Sequence, residues 1–236
     1  MSNRIHVPAL TADQMAEVDR LMIEELGIQL IQMMEQAGQR LAEQARRMLG
    51  GDLAGRKLFV ACGPGNNGGG GLVAARNLHN RGAQLAVELS TTPQALKPVP
   101  GQHWRTLNHL GLAQAGFGPD QADLVIDALI GYGLRGQPKP ALTGWINRVN
   151  MSGRPILALD VPSGLNATTG EAAEACIRAT TTLTLALPKT GLLEPGARAY
   201  VGELLLADIG VPPQLYRALG LEVGPLFSEA GIVPVG

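Results

Sequence analysis

Two stretches near the start of the chain, Thr11 to Gly27 and Gln29 to Leu49, carry apolar residues at helical spacing, with Gly27 between them. Thr11 stands where an N-cap side chain can accept from the first free amides of a helix. Met15, Val18, Leu21 and Met22 form one stripe, which predicts the face turned to a core. Beyond Gly50-Gly51 the period changes. Short apolar runs at Lys57 to Cys62, Gln84 to Leu89, Leu124 to Ile130, Pro155 to Val161, Thr181 to Leu187 and Gly202 to Ala207 alternate with helical stretches at Leu72 to Arg81, Gln102 to Leu110 and Ala141 to Met151. Apolar strands interleaved with helices predict βαβ units around a mostly parallel sheet. The expected organisation is a single α/β domain over 1–236, with an N-terminal helical hairpin at 1–50, the α/β core at 51–223 and a tail or linker at 224–236.

Composition narrows the partners. A chain of 236 residues, 45% hydrophobic and with a net charge of -1, is long enough for one buried core and too balanced to bind polyelectrolytes. Aromatics at 3% leave few rings on which bases could stack, so nucleic acid is not an expected partner. The two cysteines, Cys62 and Cys176, form no metal-like or redox-like pair and read as free thiols in a reducing compartment. The segment Met1 to His6 lacks the apolar core of a signal peptide, and no apolar run approaches the ~20 residues of a membrane span. The expected location is the cytoplasm, with no membrane contact.

The chemistry-bearing residues cluster in four turns that follow strand-like runs: Gly63 to Gly71, Asp127 to Pro140, Asp160 to Gly170 and Pro188 to Gly196. Doubly wound sheets bind ligands at the carboxyl ends of their strands, so the four turns are expected to build one composite site. The first, Gly63-Pro64-Gly65-Asn66-Asn67-Gly68-Gly69-Gly70-Gly71, is a glycine-dense strand-to-helix turn of the kind that brings backbone amides and a helix N-terminus to a phosphate. It also satisfies G-x-G-x-x-G, with Glu88 at about the 20-residue offset of a ribose-binding acid. A nicotinamide-dependent oxidoreductase is therefore one alternative. Against it, none of Tyr132, Tyr200 and Tyr216 is followed four residues later by lysine. Asp127 and Asp160 each end an apolar run. If they converge with Asn67, they supply hard oxygens for a cation or an acid/base pair, with burial and mutual repulsion raising at least one pKa. His6, His79, His103 and His109 have no metal-like spacing and read as surface residues, and Lys189 could reach a phosphate or simply be solvated.

Three motifs in order, Gly63-Pro64-Gly65-Asn66-Asn67-Gly68-Gly69, Asp127 with Gly131-Tyr132-Gly133-Leu134, and Asp160-Val161-Pro162-Ser163-Gly164, together resemble the NAD(P)H-hydrate epimerase family, the YjeF N-terminal domain. Met15, Asp19, Gly27 and Met34 to Gly38 are similar to that family's opening helices. The resemblance implies a Rossmann-like three-layer αβα sandwich. It also implies interconversion of the R and S forms of NADHX and NADPHX, cofactors hydrated at C6 of the nicotinamide ring, with the S form rescued by a separate ADP- or ATP-dependent dehydratase. Residue by residue, it implies that Asn66, Asn67, Gly68, Gly69 and Gly70, with Gly131, Tyr132, Gly133, Leu134, Arg135, Gly136, Gln137 and Asp160, contact the substrate. It implies a potassium ion at Asn67, Asp127 and Ser163, and homodimers are common among the proteins it points to; Asp160 is the residue expected to be catalytic, protonating the C6 hydroxyl as it leaves. Arg135, Lys139 and Lys189 are the candidates for a 2′-phosphate contact.

Gly70 stands where the family usually has aspartate, and Gln36 where it more often has asparagine. A carboxylate at position 70 would hydrogen-bond the ligand or orient a water. The second alternative, a catalytically weak nucleotide-binding or scaffold module of the same fold, turns on that substitution.

Overall fold

The computed structural model describes residues 5–113 and 116–236, so the first four residues of the N-terminal tail, part of the segment read as lacking a signal peptide, lie outside the described residues. The helices are α1 (Ala12–Glu24), α2 (Leu30–Met48), α3 (Asn66–His79), α4 (Pro98–His109), α5 (Pro140–Asn150), α6 (Arg198–Val201) and α7 (Pro213–Ala218). The strands are β1 (Lys57–Cys62), β2 (Gln84–Leu89), β3 (Leu124–Ala128), β4 (Ile156–Leu159), β5 (Thr181–Leu185), β6 (Glu203–Ala207) and β7 (Ile232–Pro234). They form one sheet in the order β2-β1-β3-β4-β5-β6-β7, parallel except for β7, which runs antiparallel to β6.

Strand periodicity sorts the side chains into two core layers. Leu58, Val60 and Cys62 of β1, with Leu124 and Ile126 of β3, pack against Leu41, Ala42 and Ala45 of α2 and Leu72 and Leu78 of α3. Their neighbours Phe59, Ala61 and Val125 face the other way, against Ile146 and Val149 of α5. This is the expected three-layer α/β sandwich with its N-terminal helices. α2 packs chiefly along α3, and α1 shares a cluster with Leu215 and Tyr216 of α7. Thr11 caps α1 as expected, accepting from the Gln14 amide at 3.2 Å.

Four details differ from the sequence reading. The glycine run is not a turn ahead of a helix but the first two turns of α3. Glycine costs about 1 kcal/mol per helical position relative to alanine, and here close packing requires it. A Cβ on Gly71 would lie 2.6 Å from that of Ala128, and one on Gly38 of α2 would lie 2.8 Å from the Gly70 carbonyl. Second, residues 224–236, expected as tail or linker, contribute β7, with Ile232 and Val235 buried. Three residues ending in Pro234 carry too little periodicity to read, and an edge strand tolerates the missing N–H. Third, β3, β4 and β5 are each two residues or more shorter than their apolar runs, because the ends of those runs turn into the site. Fourth, His103 is buried at 6% exposure between α2 and α4, 3.7 Å from Glu35, and burial lowers its pKa.

Candidate functional site

Strand order reverses between β1 and β3, the switch point at which open parallel sheets leave a crevice at their carboxyl ends. A cavity of about 600 Å³ opens there, within the range of ~300–1,000 Å³ typical of small-molecule sites. Its walls come from Pro64 to Asn67 and Gly70, from Leu129 to Arg135 and Gln137 to Lys139, from Leu159 and Asp160, and from Leu185 and Lys189. The N-terminal helices close it with Met15, Asp19, Leu30, Met33 and Met34. The four turns thus converge, although the third contributes only Asp160.

Within the α3 turn the expected substrate contacts divide. Asn66, Asn67 and Gly70 line the cavity. Gly68 and Gly69 do not: a Cβ on the first would run into the Gly63 carbonyl and on the second into the Met34 sulfur, so both glycines serve packing. Asn67 Nδ2 is buried without a hydrogen-bond partner among the described residues. From the second loop Gly131, Tyr132, Gly133, Leu134, Arg135 and Gln137 line the cavity, whereas Gly136, at φ +67°, takes the left-handed turn outside it.

Asp160 sits at the head of the cavity, 3% exposed and with φ +67°. Left-handed backbone at a residue other than glycine costs on the order of 1–3 kcal/mol, and aspartate tolerates it better than most. Its Oδ1 pairs with the Lys189 ammonium, which is fully buried and also donates to the Leu185 carbonyl at 2.8 Å. Its Oδ2 accepts from the Tyr132 amide at 3.2 Å. The Tyr132 hydroxyl donates in turn to Asp19 Oδ2 at 2.6 Å. Burial, above all, raises the Asp19 pKa, and it raises that of Tyr132 as well, so the phenol stays a donor. Lys189 is therefore no solvated side chain. The N-terminal segment seals it, with Leu10 bridging to Lys189 as an isolated parallel pair.

Asp127 does not join Asp160. It lies fully buried beneath the cavity floor, where its Oδ1 accepts from the Ser163 hydroxyl at 2.7 Å and its Oδ2 from the Ser163 amide at 2.9 Å. Burial pushes its pKa up to about 6, with no part played by Asp160. Among the described residues it has no cationic partner, and no cluster of three or more His, Cys, Asp or Glu could hold a metal. Oδ1 also accepts from the Leu129 amide at 3.2 Å, and the Ser163 hydroxyl lies 3.2 Å from the Ile130 carbonyl, so donors of the chain itself meet the carboxylate. Asn67 and Asp160 come close to one another at Gly131, where a Cβ would lie 3.1 Å from Asn67 Oδ1 and 3.2 Å from Asp160 Oδ2.

At the mouth, Arg135 is tied to Asp13 of α1. Lys97 and Lys139, which immediately precede α4 and α5, line the cavity and form no ion pair among the described residues. Glu88 is engaged by both guanidinium nitrogens of Arg148, at 2.7 and 3.1 Å, and lies outside the cavity, which removes the ribose-binding acid of the oxidoreductase alternative. The residues that the sequence reading missed are Asp19, Lys97 and the buried state of Lys189. Only Asp19 carried a signal, as the one acidic residue on the stripe of Met15, Val18 and Met22.

The sequence profile described as YjeF-related protein N-terminus matches residues 30–191. The chain is 41% identical over 220 residues to an NAD(P)H-hydrate epimerase of Dehalogenimonas lykanthroporepellens, covering 92% of this chain and 87% of that protein. It is 41% identical over 218 residues to a bifunctional NAD(P)H-hydrate repair enzyme Nnr of Moorella thermoacetica, covering 87% of this chain but only 41% of that protein. The crystal structure of yeast ynu0 superimposes with a TM-score of 0.80 over 97% of this chain and all of that one, at 24% identity.

Proposed function

The chain belongs to the YjeF-related protein N-terminus family, and from that premise we propose that it is an NAD(P)H-hydrate epimerase, interconverting the R and S forms of NADHX and NADPHX in repair of damaged nicotinamide cofactors. The observation that carries this reading is the buried Asp160–Lys189 pair at the head of a cavity large enough for much of a dinucleotide, at the switch point of the sheet. Epimerisation at C6 needs the hydroxyl to leave and water to return on the opposite face. The lone pair of the ring nitrogen drives the departure, giving a planar iminium, while the Asp160–Lys189 pair supplies the proton that lets the hydroxyl go as water. Apolar walls from Leu30, Met33, Met34 and Leu159 limit competing water at the ring. The free amides of the first turn of α3 and the Lys97 and Lys139 ammonium groups suit the phosphates. Of the 2′-phosphate candidates, Lys139 remains free, whereas Arg135 is paired with Asp13 and Lys189 is sealed against Asp160.

Asn67, Asp127 and Ser163 are the residues that would hold a potassium ion. Their fit rests on the missing charge: Asp127 is a buried carboxylate with no cationic partner among the described residues, held by the Ser163 hydroxyl and amide and the Leu129 amide, and a monovalent cation would balance it. When bound, such an ion would neutralise the Asp127 carboxylate beside Leu129 and Ser163. We further place the protein in the cytoplasm, as a possible homodimer working beside the nucleotide-dependent dehydratase. No helix among the described residues is long and apolar enough to cross a membrane.

The test is chromatographic conversion of each purified epimer. Asp160→Asn abolishes interconversion while the variant still binds NADP⁺ by calorimetry; conversion at the wild-type rate would take the acid/base role from Asp160.

A further inference from the structure

Inversion at C6 makes a demand that one acid/base group does not meet. A group reaching one face of the ring can release the hydroxyl and return water on that same face, which exchanges the oxygen without changing the configuration. Inversion needs a proton acceptor where the new water arrives. The cavity holds a second carboxylate, Asp19 of α1, in a defined relation to the first. Tyr132 connects the two: its backbone amide donates to Asp160 Oδ2 at 3.2 Å and its hydroxyl to Asp19 Oδ2 at 2.6 Å. The carboxylates are thus joined through the two ends of one tyrosine, and both stand on the wall of the same cavity. Inverting glycosidases likewise divide proton donation and water activation between two carboxyl groups on opposite faces of the sugar ring.

Their surroundings differ as those of an acid and a base should. Asp160 is paired with the buried Lys189 ammonium, whereas Asp19 forms no ion pair among the described residues; burial above all raises its pKa, against the Tyr132 hydrogen bond and the nearby Lys189 charge. Such a contrast between two carboxyl groups sharing a site is the pattern from which acid and base roles are read.

We propose that Asp19 is a second catalytic acid/base, serving the ring face opposite to that served by Asp160. The proposal rests on the epimerase reading. In one direction the proton held by the Asp160–Lys189 pair passes to the C6 hydroxyl, the C6–O bond breaks, water leaves, and the ring nitrogen forms the C=N bond of the iminium. A water on the other face then adds its oxygen to C6 and gives its proton to Asp19. The net change is one proton moved from the Asp160 side to the Asp19 side, and the other epimer runs the same steps in reverse. Tyr132 positions both carboxyl groups, and its phenol stays protonated throughout. Gly70 offers no side chain to the cavity, so this assignment places the second carboxyl group of the site on α1.

The experiment incubates each purified epimer of NADHX in H₂¹⁸O with the full chain, then separates the epimers and weighs their hydroxyl oxygen by mass spectrometry. The wild type carries label into both epimers whichever is supplied. With Asp19→Asn, an isosteric change that keeps a partner for Tyr132, interconversion falls on the order of 10²-fold or more, as for loss of a general acid/base. That variant still exchanges the oxygen of one epimer with retention, and Asp160→Asn exchanges only the opposite epimer. Interconversion by Asp19→Asn at the wild-type rate overturns the proposal. So does loss of both exchange and interconversion in a variant that melts like the wild type, because Asp19 would then be structural. A wild type that converts neither epimer defeats the epimerase reading itself, and is thereby distinguished from failure of the role given to Asp19.

Discussion

At the scale of single residues, Asp127, Asp19 and Gly70 are each held by one dominant force. Asp127 is governed by desolvation, which lifts its pKa from 3.8 to about 6. Between those values the folded chain holds a proton that the unfolded chain has released, so stability declines as pH rises through that window. At about 1.4 kcal/mol per unit, the decline is ~3 kcal/mol. Asp19, raised by the same cause, adds to it with the same sign. A potassium ion beside Asp127 would offset this loss, so melting curves should give a higher Tm in potassium than in lithium chloride at pH 7 and equal ionic strength, converging near pH 5. Melting points independent of the cation at both pH values would remove potassium from this site. Gly70 is governed by packing, since a Cβ there would lie 2.7 Å from Leu159 Cδ2. Gly70→Asp must displace that leucine, and it lowers stability by about 1–3 kcal/mol as overpacking does. With the acid/base groups proposed at Asp160 and Asp19, steady-state assays should find no gain in turnover; a clear gain would mean that the glycine is a deficit.

At the scale of elements, the close approach of α3 to its surroundings decides the shape of the cavity. Gly38 lets α2 meet α3, and Gly71 lets α3 meet the sheet, where a Cβ would lie 2.6 Å from Ala128. Gly38→Ala is expected to lower stability by about 1–3 kcal/mol, read as a lower denaturation midpoint, and to weaken ligand binding by moving Met33 and Met34 on the cavity wall. An unchanged midpoint would show that the two helices have slack between them. The same packing explains what could be read in advance. β1, β3 and β4 are buried on both faces, so their unbroken apolar runs betrayed them. The first turns of α3 were hidden, because helix propensity argues against Asn-Asn-Gly-Gly-Gly-Gly and only tertiary contact reverses it. Asp127 and Asp160 were visible as strand-end carboxylates. Their division between floor and cavity was not, since it depends on a left-handed residue at Asp160 and on Ser163 folding back beneath β3.

At the scale of the whole molecule, the site is assembled from contacts that span nearly the full chain. Leu10 seals Lys189, Asp19 holds Tyr132, and Asp13 holds Arg135, so the N-terminal segment and α1 lock both the buried lysine and the loop above the cavity. Such pairings, separated by more than a hundred residues, leave no periodic trace, which is why Lys189 reads from sequence alone as a solvated side chain. They also predict that removing residues 1–24 costs activity before it costs the sheet: circular dichroism would keep the α/β signature while epimer conversion disappears. Retained conversion would show that α1 is dispensable. The central claim is tested most directly by giving a mixture of R- and S-NADPHX to an excess of S-specific dehydratase with its nucleotide and following NADPH absorbance. Without an epimerase the signal stalls once the S form is consumed, apart from slow spontaneous conversion. Adding this chain should drive the remaining R form rapidly to NADPH, and a stall that persists would contradict the account.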